Sequence, residues 1–575
     1  MGKWKGTVEA VVENDIMQDW KQEILEVAKD YDVITFDVFD TLLIRDVLKP
    51  IDVFWLVGGN IFQYRRILAE KFANSYLKKD EITMQDIYKF LPKKRMEEEI
   101  YVEKSVCRAN PSVKDVYNEL KKSGKRIYAM SDMYLSKNVV MELLKVAGYV
   151  FDDVYVSSEY GVGKKSGKLF ELFCKKENIK KENILHIGDN PRVDGEGAKI
   201  AGISYFVIPG ANDILRYSKK NKYIFYLKNN EEQQSILRLR SFINHGLVEI
   251  EDSYEKIGYE VLGPILVSFV QWVYERKREY GFERLFFLAR DMKIVYDIYQ
   301  EIYGGEDCTY FYISRAAIRS VAKESSAAFC DYMKLEKCYG NIGIVDTGWK
   351  GFTQKVIERY AKKIQNQSEV GGLYIGESTS MRYFSPFKRT EACFVSKGKK
   401  CRQAPIYCAL LESFIGSNEP QVINYGKAGV PVFNQKKRRS DMFDAIQNGA
   451  LLFARQWNEY GNPHINAKES FSVYYNIFDK PLVEDIDLLG NCETDHFSEA
   501  KLLVFKDKHY YRKHIMGWFG DLRLSAWKGA FFKKSFSHYG LIYSLYKALD
   551  SLWIMVKDRN RLKDKSIEEL MEEYY

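Results

Sequence analysis

No two of the nine cysteines in this 575-residue chain stand in a Cys-x-x-Cys pair, and their number is odd. A zinc ribbon of paired cysteines and a disulfide framework are thereby excluded, and the pattern fits a reducing compartment. Long apolar runs are missing too. The most apolar stretch, Val261–Tyr274, is interrupted by Gly263, Pro264 and Gln271. It is too short to span a bilayer and reads as a buried helix. Met1–Asp19 carries acidic residues and lacks the apolar core of a signal peptide, so the expected location is cytoplasmic. Charge of one sign is scarce: 87 Lys and Arg against 79 Asp and Glu leave a net +8. Basic runs such as Lys436–Arg439 and Lys533–Lys534 are short and read as solvated surface. No motif supports a nucleic-acid partner, and there is no internal repeat or long low-complexity tract.

What is present is a balance of 46% hydrophobic and 29% charged residues with 15% aromatics, the composition of a globular protein of two to four domains. Residues 1–30 hold a short lead-in helix over 17–30. A run of β-branched and aromatic residues, Val33–Phe36, then stops at Asp37, as a buried parallel strand does when it presents a carboxylate at its end. Similar runs are Arg126–Met130 before Ser131, Asp153–Val156 before Ser157, Asn183–Ile187 before Gly188-Asp189-Asn190, and Ile203–Ile208. Helical patterns at Ser112–Lys122, Lys137–Ala147 and Lys168–Glu177 alternate with them, which predicts a doubly wound parallel sheet over 31–212. Ligands in such sheets sit beyond the carboxyl ends of the strands, where Asp37, Ser131 and Asp189 converge. The segment 46–110 is too long for a crossover and reads as a helical cap over that edge.

The order of these signals is strand–Asp37, strand–Ser131, Gly163-Lys164-Lys165, and strand–Gly188-Asp189-Asn190 with Asp194 beyond. It resembles the four motifs of the haloacid dehalogenase-like (HAD) phosphohydrolase superfamily, with Phe36-Asp37-Val38-Phe39-Asp40-Thr41-Leu42 as the first. The resemblance implies an α/β fold with a C1-type cap and a hydrolase, a phosphatase or phosphotransferase, working through an aspartyl-phosphate. It implies Asp37 as nucleophile, Mg²⁺ held by Asp37, Asp189 and Asp194, and Lys164 as the charge-neutralising cation, with Lys165 the alternative one residue on. Ser131, Thr41 and Asn190 would contact the substrate or the motif loops. Phe39 departs from the superfamily pattern, because most of its phosphatases carry a second Asp there as general acid. Asp40, one residue further, is the candidate substitute; the alternatives are another residue or a water in that role, a fold that binds without hydrolysing, or a transferase whose chemistry lies in the second domain. His186 reads as a core histidine.

After a polar linker at 213–240, a second α/β domain is expected over 241–400, with strands at Arg284–Leu288, Asn341–Val345 and Gly372–Ile375. Arg290 and Asp346 follow two of these strands, either as a site for a phosphate or nucleotide-sugar or as a structural Asp cap with buried Arg–Asp pairing. Residues 401–575 are mixed, then helical. The whole arrangement resembles that of the long HAD-type proteins of bacterial surface-polysaccharide loci, and the resemblance implies a small phosphorylated substrate and glycan-assembly partners. The last 60 residues interleave aromatics with lysines, and either pack on the second domain or rest peripherally on a membrane.

Overall fold

The computed structural model describes residues 20–47, 49–208, 239, 250, 252–349, 351–377, 389–395, 407, 410–435, 441–492 and 502–562. The expected linker at 213–240, Leu239 apart, and the basic run Lys436–Arg439 lie outside the described residues. Two compact units divide the chain: Met1–Lys222 with Asn229–Glu249, and Tyr223–Lys228 with Ile250–Tyr575.

In the first unit, helix α1 (Trp20–Val27) precedes a five-stranded sheet built from β1 (Val33–Asp37), β2 (Arg126–Ser131), β3 (Val154–Val156), β4 (Ile184–Gly188) and β5 (Ser204–Val207). The strands are all parallel, in the order β3-β2-β1-β4-β5. Every residue of β1 is buried, which is why its sequence is continuously apolar up to Asp37. Helices α4 (Pro111–Lys122), α5 (Lys137–Val146) and α6 (Lys168–Glu177) form the crossovers, within two residues of the predicted spans.

Between β1 and β2 lies the expected helical insertion. It is framed by a short antiparallel pair, Leu43–Arg45 with Cys107–Ala109, which carries the chain out and back. Inside it, α2 (Asp52–Leu77) bends at Gly58 and Gly59, where Gly59 takes φ 69°, a conformation that side chains disfavour. The long helix α3 (Lys94–Val106) packs beside α2. Their contact is more polar than an amphipathic pattern suggests. Arg66 of α2 is fully buried, and its guanidinium donates to both carboxylate oxygens of Glu99 on α3, at 2.8 and 2.9 Å. The Tyr88 hydroxyl donates to the same carboxylate at 2.6 Å.

The second unit holds a second parallel sheet, from β6 (Arg284–Leu288), β7 (Cys308–Phe311), β8 (Asn341–Trp349), β9 (Glu369–Glu377) and β10 (Thr390–Val395), in the order β10-β9-β8-β6-β7. One expectation is corrected here. Asp346 does not follow its strand but lies within it, opposite Tyr374, because β8 goes on pairing with the nine-residue β9 as far as Trp349. The next helix, α8 (Phe352–Ile364), therefore opens later than the sequence pattern suggests. Helix α7 (Ser253–Tyr280) is the one helix among the described residues long and apolar enough to cross a membrane. It is 89% buried over its most apolar window and serves as a core helix. The unit ends in α9 (Lys508–Lys513), α10 (Ile515–Leu524), α11 (Lys528–Ser535) and α12 (Tyr539–Leu562).

Candidate active site

In the first sheet the chain runs outward from β1 to β2 and β3 on one side, and to β4 and β5 on the other. The crevice of such a sheet opens at this reversal, beyond the carboxyl ends of β1 and β4. Asp37 ends β1, and Asp189 directly follows β4. Ser131 ends the neighbouring β2, is buried, and its hydroxyl has no hydrogen-bond partner among the described residues. Gly188 is required just before Asp189, since a Cβ there would lie 2.7 Å from the Asp194 Cβ.

Of the two candidate lysines, Lys164 is the one brought against the carboxylates. Its side chain is 1% exposed, and its ammonium donates to Asp37 Oδ1 and, at 2.5 Å, to Asp194 Oδ1; Lys165 is exposed. Burial works against its charge, but Asp194, Asp37 and Asp132 outweigh that and raise its pKa. The loop is fixed from behind, because the backbone N–H of Lys164 donates to both carboxylate oxygens of Asp132, at 2.8 and 3.0 Å.

Asp194 sits in a complete donor set. Besides Lys164, His186 Nε2 lies 3.1 Å from its Oδ1, and the backbone N–H of Asn190 donates to Oδ2 at 3.0 Å. A carboxylate only accepts, so His186 carries its proton on Nε2 and accepts at Nδ1 from the Thr35 hydroxyl 2.8 Å away. Burial lowers the His186 pKa, which keeps the ring neutral. The core histidine expected from sequence thus also orients Asp194. Asp194 itself is held below the ordinary carboxylate range: burial would raise it, but Lys164 and His186 prevail. Burial, aided by Asp194 and Asp189 against the pull of Lys164, pushes Asp37 well above that range. Asp189 is pushed up to about 7 by burial and then by the carboxylates of Asp40 and Asp194.

After β1 the chain turns sharply. Asp40 has φ 63°, its N–H donates to Leu43 O at 2.7 Å, and the Leu43 N–H donates back to Val38 O at 2.7 Å. The buried Thr41 hydroxyl donates to Asp189 Oδ1 at 3.1 Å, so it positions that carboxylate. The Phe39 ring, at the place of the usual second acid, lies under the Arg45 guanidinium, 4.3 Å from its centroid. Arg45 is buried and paired with Glu103 at 2.6 Å. Asp40 is half-buried, and burial raises its pKa although Arg45 pulls the other way. Asn190 is exposed; its carboxamide oxygen accepts from the N–H groups of Arg192 and Val193, which leaves its amide NH₂ for other partners. Sequence reasoning missed Asp132 and Thr35, whose contacts bridge segments 32 and 151 residues apart.

Asp37, Asp189 and Asp194 each bring one carboxylate oxygen within 4.8 Å of the others. An all-oxygen, all-carboxylate set fits a hard divalent cation rather than zinc or copper. In the second unit, Asp346 is half-buried, and burial followed by the nearby Asp291 pushes it up to about 7, against the backbone N–H groups of Thr347 and Gly348 and against Arg315. Arg290 and Asp291 are half-buried, and their side chains make no hydrogen bond or ion pair among the described residues. The alternative of a direct Arg290–Asp346 pair is not what the structure contains.

Residues 31–202 match the family model described as haloacid dehalogenase-like hydrolase. Among curated proteins none matches the chain. Solved structures similar to it include a HAD family enzyme of Bacteroides thetaiotaomicron in complex with magnesium and inorganic phosphate, at 18% identity over 31% of this chain and 95% of that one, with a TM-score of 0.25. A 2-haloacid dehalogenase from Pseudomonas syringae is 17% identical over 31% of this chain and 86% of that one, also with a TM-score of 0.25. The matched segment carries the parallel sheet, the helical insertion and the strand-end acidic cluster in the expected order, and residues 31–202 are a haloacid dehalogenase-like hydrolase domain.

Proposed function

We propose that the first unit transfers the phosphoryl group of a small phosphoester to water or another acceptor, through an aspartyl-phosphate on Asp37. The observation that carries this reading is the buried Lys164 ammonium between Asp37 and Asp194, beside a third carboxylate, Asp189. A carboxylate attacking phosphorus forms an acyl phosphate while the bond to the leaving alcohol breaks, and water then cleaves the acyl phosphate. Lys164 offsets the repulsion between the Asp37 carboxylate and the incoming phosphate. Its second bond, to Asp194, fixes the ammonium in place. The unpartnered Ser131 hydroxyl donates to a phosphoryl oxygen, and the Asn190 amide is a further donor at the crevice.

Asp37, Asp189 and Asp194 would hold Mg²⁺, which when bound supplies further positive charge against the phosphoryl oxygens. With Phe39 occupied by Arg45, the proton for the leaving alcohol falls to Asp40, whose burial favours its acid form. A sugar phosphate or nucleotide-sugar intermediate of surface-polysaccharide assembly is the substrate class that the resemblance implies. The test is phosphate release across a panel of sugar phosphates and nucleotides with and without Mg²⁺. Metal-dependent turnover is expected. Phe39 favours one other reading, a protein that binds phosphate and Mg²⁺ without turnover. No release from any member, with Mg²⁺-dependent binding retained, would replace the enzyme by that binder.

The second unit is proposed to hold its own ligand crevice. Its strand order reverses between β6 and β8, and Arg290 and Asp291 follow β6 while Asp346 lies near the end of β8. The unpartnered side chains of Arg290 and Asp291 at such a reversal, with Asp346 across from them, support binding of a phosphate or nucleotide-sugar.

A further inference from the structure

The C-terminal helices divide the aromatic and apolar residues of the last 60 positions into two sets. Trp527, Phe531, Phe532 and Tyr543 are buried, as packing within the second unit requires. The other set faces solvent. On α12, Leu541, Leu545, Leu549, Leu552 and Val556 recur at helical spacing with Trp553 beside them; Leu541 is 87% exposed and Trp553 60%. The opposite side of the helix is the one that packs, through buried Tyr543 and Ser551 and through Lys547, which donates to Asp479 at 2.7 Å. A soluble protein has no use for a continuous apolar stripe on the solvent side of a helix. α10 adds Ile515, Met516 and Phe519, with Met516 77% exposed. Both helices are anchored on α11: Trp518 meets Phe531 and Phe532, and Phe532 meets Tyr543 and Tyr546.

Charge identifies what covers this surface. Residues 506–561 contain 12 Lys and Arg against 4 Asp and Glu, a net of +8. The entire chain is also +8 (87 minus 79), so the remaining residues sum to zero and the whole excess sits in this helical segment. Lys508, Arg512, Lys513 and Arg523 are exposed and have no ion pair among the described residues. Two copies meeting through these helices would bring like charges together. An anionic bilayer would attract them while taking up the apolar stripe.

We infer that the α9–α12 segment docks on an anionic membrane surface, with the apolar face of α12 and the exposed tip of α10 entering the headgroup region. The protein then works as a peripheral, monotopic protein. The test is flotation of the full chain with vesicles of phosphatidylcholine alone or mixed with phosphatidylglycerol, at low and high salt. Recovery is expected with the anionic vesicles at low salt, lowered by about tenfold without the anionic lipid or in high salt. Leu545→Glu with Leu549→Glu on α12, and separately Arg512→Glu with Lys513→Glu on α9, should each lower recovery by about tenfold while Tm stays unchanged. Absence of flotation, or variants of native Tm that float as well as the wild type, would overturn the inference. So would a dimer by light scattering that the α12 variant dissociates while the wild type fails to float, which would assign the stripe to a second copy.

Discussion

Lys164 is a cation enclosed by protein, and its value lies in where its charge is fixed. A lysine free in solvent would follow the phosphate in and out, whereas this one is held by two carboxylates and by a backbone bond to Asp132. Replacing it by Met leaves Asp37 and Asp194 buried without their counter-charge. Lys164→Met should lower turnover by about 100- to 1000-fold. Lys165→Met, on an exposed neighbour, should leave turnover near wild type. Steady-state kinetics on both variants check this, and equal losses would refute the assigned register. The sequence showed a strand-end acid, a lysine loop and a second acidic motif. It did not show which lysine was buried, nor that His186 and Thr35 brace Asp194, because these contacts are set when β1 and β4 lie side by side. Phe39 was legible as a departure, but its stacking under Arg45 depends on how the chain returns at Leu43–Arg45.

At the scale of elements, the insertion between β1 and β2 is tied together by charge inside an apolar contact. Arg66→Met would strand the buried Glu99 without its partner, a loss of about 3–5 kcal/mol by urea unfolding. A change well below 1 kcal/mol would mean that Tyr88 and solvent suffice for Glu99. Strand β8 carries a different cost. Asp346 sits at about 7 in the fold, above the ordinary carboxylate value near 4. Its raised pKa means the penalty is absent below pH of about 4 and complete above about 7, so this group lowers stability as pH rises through that window. Asp346→Asn should therefore raise Tm more at pH of about 8 than at about 4.5. A gain that does not grow with pH would contradict the burial argument. The runs behind β6, β8 and β9 were readable, since each is apolar and bounded, whereas the edge strand Thr390–Val395 was not read as a strand. The continuation of β8 past Val345 was not, because it depends on the length of β9, a neighbour 20 or more residues away in the chain.

For the whole molecule, two doubly wound sheets in two compact units make local ligand effects the expectation. Calorimetry should resolve two transitions, of which Mg²⁺ with orthovanadate raises one. A single transition that shifts as a whole would show the units unfolding together. Sequence patterns located both sheets because alternating strands and helices have a period that survives without tertiary information. They said little about the chemistry of the second unit, where no run of residues carries a motif of known mechanism. They also left the C-terminal helices undecided between core and surface, and the folded helices prove to be both, one face each.

The proposed chemistry depends on Asp37 as the nucleophile. The most direct measurement is mass spectrometry of acid-quenched enzyme during turnover with Mg²⁺ and the best substrate of the panel. A phosphoryl adduct is expected on the peptide containing Asp37, with both adduct and turnover lost in Asp37→Asn. Phosphate release that persists in Asp37→Asn, with no adduct on that peptide in the wild type, would contradict it.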